Sequence, residues 1–354
     1  MGYFWPARVV VLLALAVALL QGCRLWADHE LAQGRLSLAA GDPASAADHF
    51  RHASLLGSAS AKASLGLLYQ QGLGVARDEA RATQLLGEAA NAGNAEAAEA
   101  EGMRLLQAGE TDAALTRLRF AADHDNGDAE YQLGRFYDTG PAKDQRQAMD
   151  WYGKAAAHPE QTQARLALLP FFSYDYRKQA ALLLRDANNG LLPAELALAQ
   201  VYSHESTRLA LPWYQRAAAQ GSAEADMAIA DLYFSGAINQ TQDYDNAQLW
   251  YGKAAAQGNA KAMRRLSDLY MIPRPDPVTH QEIRTFDSEG EAVAWKRKAA
   301  AAGDADAIRD LPGLERYWAW MQACHDIYLG QDRTSAIAVH HQDPASFSCD
   351  TPPS

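Results

Sequence analysis

The sequence predicts an all-α fold built from repeated pairs of helices. Two recurring patterns of small and bulky residues, a repeat step of 30 to 37 residues and the lack of period-two alternation support this fold class. The chain has 354 residues, a formal net charge of −11 and three cysteines. The acidic balance argues against a nucleic-acid partner, because phosphate binding needs clustered Lys and Arg.

The first helix of each repeat is predicted by the pattern Ala-x3-Leu-x3-Tyr. Apolar residues at positions i, i+4 and i+8 lie on one face of a helix. Clear copies occupy residues 61–69, 129–137, 194–202, 225–233 and 262–270, and weaker copies place Leu105 and Phe172 at the tyrosine position.

The second helix is predicted by an alanine, a bulky pair three and four residues later, and another alanine at position eight. Its eight copies occupy residues 46–53, 82–89, 114–121, 148–155, 180–187, 210–217, 247–254 and 292–299. Alanine lets two helices approach closely, and the bulky ring beside it fills the remaining gap. Gly221, Gly258 and Gly303 follow this pattern, where a left-handed residue usually ends a helix. One such hairpin cannot bury its apolar face, so neighbours must stack.

Two segments carry a resemblance to a known family. Residues 61–75 resemble the first helix and inner loop of the Sel-one-like repeat (SLR) family, relatives of tetratricopeptide repeats, and residues 251–258 resemble its second helix and cap. The resemblance covers residues 30–310 and implies about eight repeats in a right-handed superhelical solenoid that holds other proteins. Cysteine-rich SLR proteins associated with β-lactam hydrolysis or binding differ, because no repeat here has a cysteine pair.

The amino-terminal segment 1–22 is predicted to be a secretory signal peptide. Arg8 precedes a 12-residue apolar run, which is short for a membrane span. Residues 20–23, Leu-Gln-Gly-Cys, resemble the bacterial lipobox, which implies lipid attachment at Cys23 and a tether over residues 23–29. The resemblance also implies an outer-membrane lipoprotein that faces the periplasm. The alternatives are an inner-membrane lipoprotein with the same orientation and an uncleaved single anchor.

The carboxyl-terminal part departs from the repeat. A Pro-rich insertion precedes the last repeat helix, and it is either a tolerated loop or a partner contact that includes His280 and Phe286. Residues 311–329 predict one further helix, which either caps the stack or presents aromatic residues to a partner. Those aromatic candidates are Tyr317, Trp318 and Trp320. Residues 330–354 form a polar tail.

The remaining cysteines are a disulfide candidate. If Cys23 is acylated, Cys324 and Cys349 form an even pair, and an oxidising periplasm permits a bond between them. Neither these residues nor the ten scattered histidines form a recognised catalytic, phosphate-binding or metal-binding motif. We therefore expect no catalytic residues, no cofactor and no metal, and a small-molecule substrate is not expected.

These observations favour an interaction protein over an enzyme. The first hypothesis is a membrane-anchored periplasmic scaffold or adaptor that binds other envelope proteins. Lipoprotein scaffolds of exopolysaccharide export, such as the alginate type, are similar in combining an anchor with such repeats. The alternatives are a regulator or chaperone of an envelope or cell-wall enzyme and, less favoured, a β-lactam hydrolase. The acidic chain predicts a basic surface on its partner.

Overall fold

Most described helices of the repeats begin at residues whose side chains accept hydrogen bonds from N–H groups of the first turn, and several of them end at glycines with a left-handed backbone. In the computed structural model, the amide oxygens of Asn94, Asn126 and Asn259 accept hydrogen bonds from the third N–H groups of the helices that follow, at 2.8, 2.8 and 2.9 Å. The three glycines predicted to end second helices have φ values of 83°, 86° and 89°. The predicted left-handed helix ends are therefore confirmed.

The structure describes residues 7–238, 240–275, 282–283, 286–330, 348–349 and 352. For residues 7–20, 274–275, 282–283 and 286–287 it describes the backbone alone. The chain divides into two units, Met1–Phe171 and Phe172–Ser354.

The first unit contains nine helices among its described residues. They are α1 (Ala7–Ala39), α2 (Pro43–Leu55), α3 (Ala59–Gln71), α4 (Glu79–Asn91), α5 (Ala95–Gln107), α6 (Thr111–Ala122), α7 (Gly127–Thr139), α8 (Gln145–Ala155) and α9 (Thr162–Leu168). Consecutive helices from α1 to α8 pack as antiparallel pairs, and the pairs stack on one another. A short 3-10 helix, Leu169–Phe172, follows α9.

The second unit continues the same alternation. Its described helices are α10 (Tyr176–Asn188), α11 (Leu192–Ser203), α12 (Thr207–Ala219), α13 (Ala223–Phe234), α14 (Tyr244–Ala256), α15 (Ala260–Tyr270), α16 (Phe286–Ala301) and α17 (Ala305–Tyr328). All eight predicted copies of the second-helix pattern lie on the even-numbered helices α2 to α16. The predicted all-α repeat architecture is confirmed.

The core of a repeat joins a small residue on the first helix to a bulky one on the second. Tyr152 is 2 % exposed, and its ring lies directly over Gly134. In the second unit, Tyr251 packs in one buried cluster with Ala230. The tryptophans that precede these tyrosines are half-buried. The tyrosine rings can be buried because the residue that faces them is either a glycine, which has no side chain, or an alanine, whose side chain is a single methyl group.

Helix α1 departs from the predicted boundaries at the amino terminus. Residues 23–29, predicted as a tether, continue the helix, because Ala27 and Glu30 are buried against α2 and hold this part of the chain in place. The side chains of residues 21–26 are exposed. A search of the described helices finds none with a stretch long and apolar enough to cross a membrane.

Helix α17 also departs from its predicted boundary. It begins at Ala305 rather than 311, since the Asp304 carboxylate accepts a hydrogen bond from the Ala307 N–H at 2.8 Å and caps it. Pro312 lies inside the helix and has no N–H to donate, so one backbone hydrogen bond is missing there. The helix nevertheless continues to Tyr328, held by contacts of its second half described below.

The Pro-rich insertion contains an element that the periodicity did not predict. Residues Arg274–Pro275 and Glu282–Ile283 form a two-residue antiparallel β pair. Proline cannot continue a helix at this point, which accords with the extended backbone of residues 274–275. Among the described residues this is the one exception to the helical architecture.

Candidate protein-binding surfaces

The predicted lipid-attachment residue lies on an exposed turn of α1. Cys23 is an exposed free cysteine. Leu25 and Trp26, next along the helix, are 72 % and 60 % exposed. Packing against α2 begins at Ala27, and the Glu30 carboxylate lies 2.9 Å from Nδ1 of His49. The hydrogen bond from His49 holds the pKa of Glu30 below its usual value. The middle of α1, which carries Cys23, therefore exposes the apolar side chains of Leu25 and Trp26.

The aromatic residues of α17 make contacts within the chain. The Trp318 ring packs so close to Gly290 of α16 that a β-carbon there would lie 3.2 Å from it. The Tyr317 and Trp320 rings have centroids 5.7 Å apart. The Trp320 indole N–H donates a hydrogen bond to the Ser348 carbonyl at 2.7 Å. Trp318 and Trp320 are thus engaged in packing the end of the second unit.

The structure also brings together the two candidate cysteines. Cys324 of α17 and Cys349 form a disulfide with Cα atoms 5.6 Å apart. Together with the Trp320 hydrogen bond, it fixes residues 348–349 against α17. Of the other contact candidates, His280 lies outside the described residues, and Phe286 begins α16 with only its backbone described. Tyr317 lines an open cavity of about 630 Å³ with Met271 and Arg316.

A groove of about 420 Å³ runs across α3, α4 and α5 in the first unit. It is lined by Leu67, Met103, Glu99 and Arg104, among others, so it presents both apolar and charged groups. Burial, together with the negative charges of Asp128 and Glu96, raises the pKa of Glu99 to about 7. This groove combines apolar contact area with polar groups, as protein-binding surfaces do.

A charged pair joins the two helices of a repeat at one recurring position. The acid Glu195, four residues after the N-cap of α11, lies 2.7 Å from the Arg216 guanidinium of α12. At the same position of the α3–α4 repeat the charges are reversed, and Lys62 lies 2.6 Å from Glu88. In the α7–α8 repeat the acid is Glu130, and its contact at 3.1 Å comes from the ring of His158, which lies beyond the end of α8.

The sequence patterns did not identify Glu99, Glu195 or Asp226 as candidate functional residues. Glu195 and Asp226 are 1 % and 3 % exposed. A signal existed, since an acid stands directly after the recurring alanine of the first helix, at a position that faces the core. Glu99 carried no such signal, because its pKa depends in part on Asp128 of the next repeat. Among the described residues no group of side chains could hold a metal ion.

Comparison with known proteins identifies the type of repeat. The family model described as Sel1 repeat matches residues 59–94, 127–159, 194–222, 223–259 and 287–304. These five segments are therefore Sel1 repeats, which are repeats of the SLR and tetratricopeptide class. No curated protein matches the chain.

Two solved structures share this fold. The protective antigen c5321 of uropathogenic Escherichia coli, which displays an SLR fold, is 23 % identical with a TM-score of 0.63, covering 89 % of this chain and 68 % of that one. A Sel1 repeat protein from Oxalobacter formigenes is 24 % identical with a TM-score of 0.55, covering 84 % of this chain and 91 % of that one. Repeats of this kind act as scaffolds for protein–protein interaction.

Proposed function

We propose that the protein is a membrane-anchored scaffold that binds other proteins of the bacterial envelope. The observation that carries the anchor is the exposed stretch of α1 in which Cys23 precedes the exposed Leu25 and Trp26. Acyl chains on Cys23 would hold the chain at a bilayer, and tryptophan favours the level of the lipid headgroups. We place it at the outer membrane, facing the periplasm, in line with the lipobox resemblance.

The binding role is supported by the surfaces that the repeats leave open. The groove across α3 to α5 offers about 420 Å³ between helices that already satisfy their own backbone hydrogen bonds. Side chains such as Glu99 and Arg104 line this groove, where a partner would contact them. We further propose exopolysaccharide export as the process served, because anchored scaffolds of that kind combine the same two features.

Membrane fractionation tests the anchor. We expect the wild-type protein in the membrane fraction and the Cys23→Ala variant in the soluble fraction. Leu25→Ala is the matched control, because it shortens a neighbouring exposed side chain and leaves the acylation site intact. A Cys23→Ala variant that stays in the membrane fraction would contradict the lipid anchor and favour an uncleaved helix.

Affinity purification from crosslinked envelopes tests the scaffold. We expect several envelope proteins to co-purify with the acylated full-length chain. Recovery of a single cell-wall enzyme would instead favour the regulator hypothesis. Recovery of no partner by a folded, membrane-bound protein would contradict the proposed function. Secreted polysaccharide measured in a deletion strain tests the proposed process, and unchanged secretion would contradict it.

A further inference from the structure

A notch of about 500 Å³ opens in the second unit between α12, α13 and α14. Asp226 of α13 lines it and is 3 % exposed. The Gln257 amide donates a hydrogen bond to Oδ2 of Asp226 at 2.7 Å. The other carboxylate oxygen has no hydrogen-bond or ion-pair partner in the described part of the chain. The notch thus contains a largely buried carboxylate, with one oxygen hydrogen-bonded within the protein and the other open to the notch.

The electrostatics of Asp226 agree with this geometry. Burial raises the pKa of Asp226, even though Lys253 and the Gln257 hydrogen bond both act to lower it. The interactions of the Asp226 carboxylate with Lys253 and Gln257 therefore do not fully offset the cost of burying its charge. A cationic donor in the notch would supply the missing interaction.

The preceding repeat shows which group fits this position. There the buried acid is Glu195, and the Gln220 amide donates to it at 2.6 Å, as Gln257 does to Asp226. A guanidinium nitrogen of Arg216 lies 2.7 Å from the second carboxylate oxygen of Glu195, which is an ion pair by distance without hydrogen-bond geometry. The same nitrogen donates a hydrogen bond to the Ala187 carbonyl of α10 at 2.8 Å. The arginine therefore bridges an acid and a helix end.

The two repeats match in register around this arginine. In α12 the aromatic residue Trp213 stands three residues before Arg216, whose guanidinium carbon lies 4.6 Å from the ring centre. In α14 the corresponding pair is Trp250 and Lys253. Ala187 ends the alanine pattern of α10, as Ala217 does in α12, and the next residue, Ala218, lines the notch.

Lys253 does not take the place of the arginine. Its ammonium lies 3.4 Å from the centre of the Trp250 ring, and no ion pair joins it to Asp226 among the described residues. A compact ammonium cannot contact a ring, a carboxylate and a carbonyl together as a planar guanidinium does. The lysine side chain is exposed, so solvent screens its charge. The position that Arg216 fills in one repeat is open in the next.

We propose that this notch binds an arginine side chain of a protein partner, with its guanidinium on the free oxygen of Asp226. The inference rests on the proposed function and deepens it, because it names the partner chemistry that the surface recognises. Arginine is favoured over lysine because the self-filled notch beside Glu195 uses the planar group. The net charge of −11 accords with a basic partner.

Peptide titration of the full-length protein tests the proposal. The probes are acetyl-Gly-Arg-Gly-amide and the same peptide with citrulline, which keeps the shape and loses the charge. The readout is the NMR signal of the Trp250 indole N–H, assigned by its loss in Trp250→Phe. We expect saturable binding of the arginine peptide with a Kd on the order of 1 mM and at least tenfold weaker binding of the citrulline peptide.

The matched variants Lys253→Arg and Arg216→Lys fill the open notch and open the filled one, respectively. Lys253→Arg places a guanidinium in the notch and should weaken peptide binding at least tenfold, and Asp226→Asn should do the same by removing the charge. Arg216→Lys should open a second site, seen as a new response of the Trp213 indole signal. Circular dichroism checks that each variant keeps its helices, and Lys253→Arg remains decisive if another variant unfolds.

The proposal is overturned if the arginine peptide causes no saturable shift, if citrulline binds equally well, or if Lys253→Arg binds like the wild type. Failure of this inference differs from failure of the scaffold function. If the peptide does not bind while envelope proteins still co-purify, only the arginine site is wrong. If the peptide binds but no partner co-purifies, the site stands and the scaffold role is wrong.

Discussion

Gly134 allows a direct test of how the repeats pack. A β-carbon on this glycine would lie 2.6 Å from one ring carbon of Tyr152 and closer still to its neighbour, where ordinary carbon contacts are about 3.5–4.0 Å. The ring is 2 % exposed, and its hydroxyl lies 3.4 Å from the Asp138 carboxylate. It therefore cannot move aside without disturbing the core. The substitution Gly134→Ala should destabilise the protein.

The expected magnitude follows from two opposed effects. Overpacking a well-filled core costs about 1–3 kcal/mol. Alanine in a helix interior gains about 0.5–1 kcal/mol over glycine. The free energy of unfolding should therefore fall by about 1 kcal/mol, and by no more than about 2.5 kcal/mol. Gly153 on the partner helix α8 is the matched control, because nothing lies within 4 Å of the place that a β-carbon would take there. Gly153→Ala should stabilise by about 0.5–1 kcal/mol.

Urea unfolding followed by circular dichroism measures both variants. Opposite shifts of the midpoint at equal m-value are the expected result. The double variant Gly134→Ala with Tyr152→Leu should recover part of the loss, since a leucine faces the equivalent Gly66 in another repeat. If Gly134→Ala proves as stable as Gly153→Ala, the small residues do not set the helix spacing, and the packing argument is refuted.

Three further predictions concern charge and crosslinking. Because the pKa of Glu99 is raised from 4.5 to about 7, the folded chain retains a proton that the unfolded chain releases in this window. The free energy of unfolding should fall as pH rises from about 4.5 to 7, and Glu99→Gln should remove this slope in urea titrations at several pH values. Lys62→Glu should lower the thermal midpoint and adding Glu88→Lys should restore it, whereas additive losses would contradict the pairing. Iodoacetamide treatment without reductant should leave Cys324 and Cys349 unlabelled by mass spectrometry, and labelling of both would refute the disulfide.

The repeat architecture could be predicted because each helix carries its own local signal. Alanine and tyrosine at fixed helical spacing, followed by a glycine, specify a hairpin within a span of about 34 residues. The long helices at both ends lacked such signals. The start of α17 depends on the Asp304 cap, and its continuation past Pro312 depends on contacts of Trp318 and Trp320. Those contacts join residues distant in sequence.

The candidate sites were harder to predict for a related reason. Recognition of the notch at Asp226 required knowing that Lys253 leaves open a place that Arg216 fills. The sequence shows the two basic residues in register, but only the structure shows that both lie over a tryptophan ring and that, of the two, Arg216 also reaches the buried acid. In the same way, the raised pKa of Glu99 arises in part from a neighbouring repeat.

The reversed charge pair in the α3–α4 repeat has a consequence for folding. Helices with nearly equal sequences can dock on the wrong neighbour, and such register errors trap repeat proteins. If α3 docked on α8 in place of α4, Lys62 would meet Lys154, which occupies the position of Glu88 in that helix. Two like charges would then face each other. The inverted pair of Lys62 and Glu88 thereby disfavours the docking of α3 on α8 and favours its docking on α4.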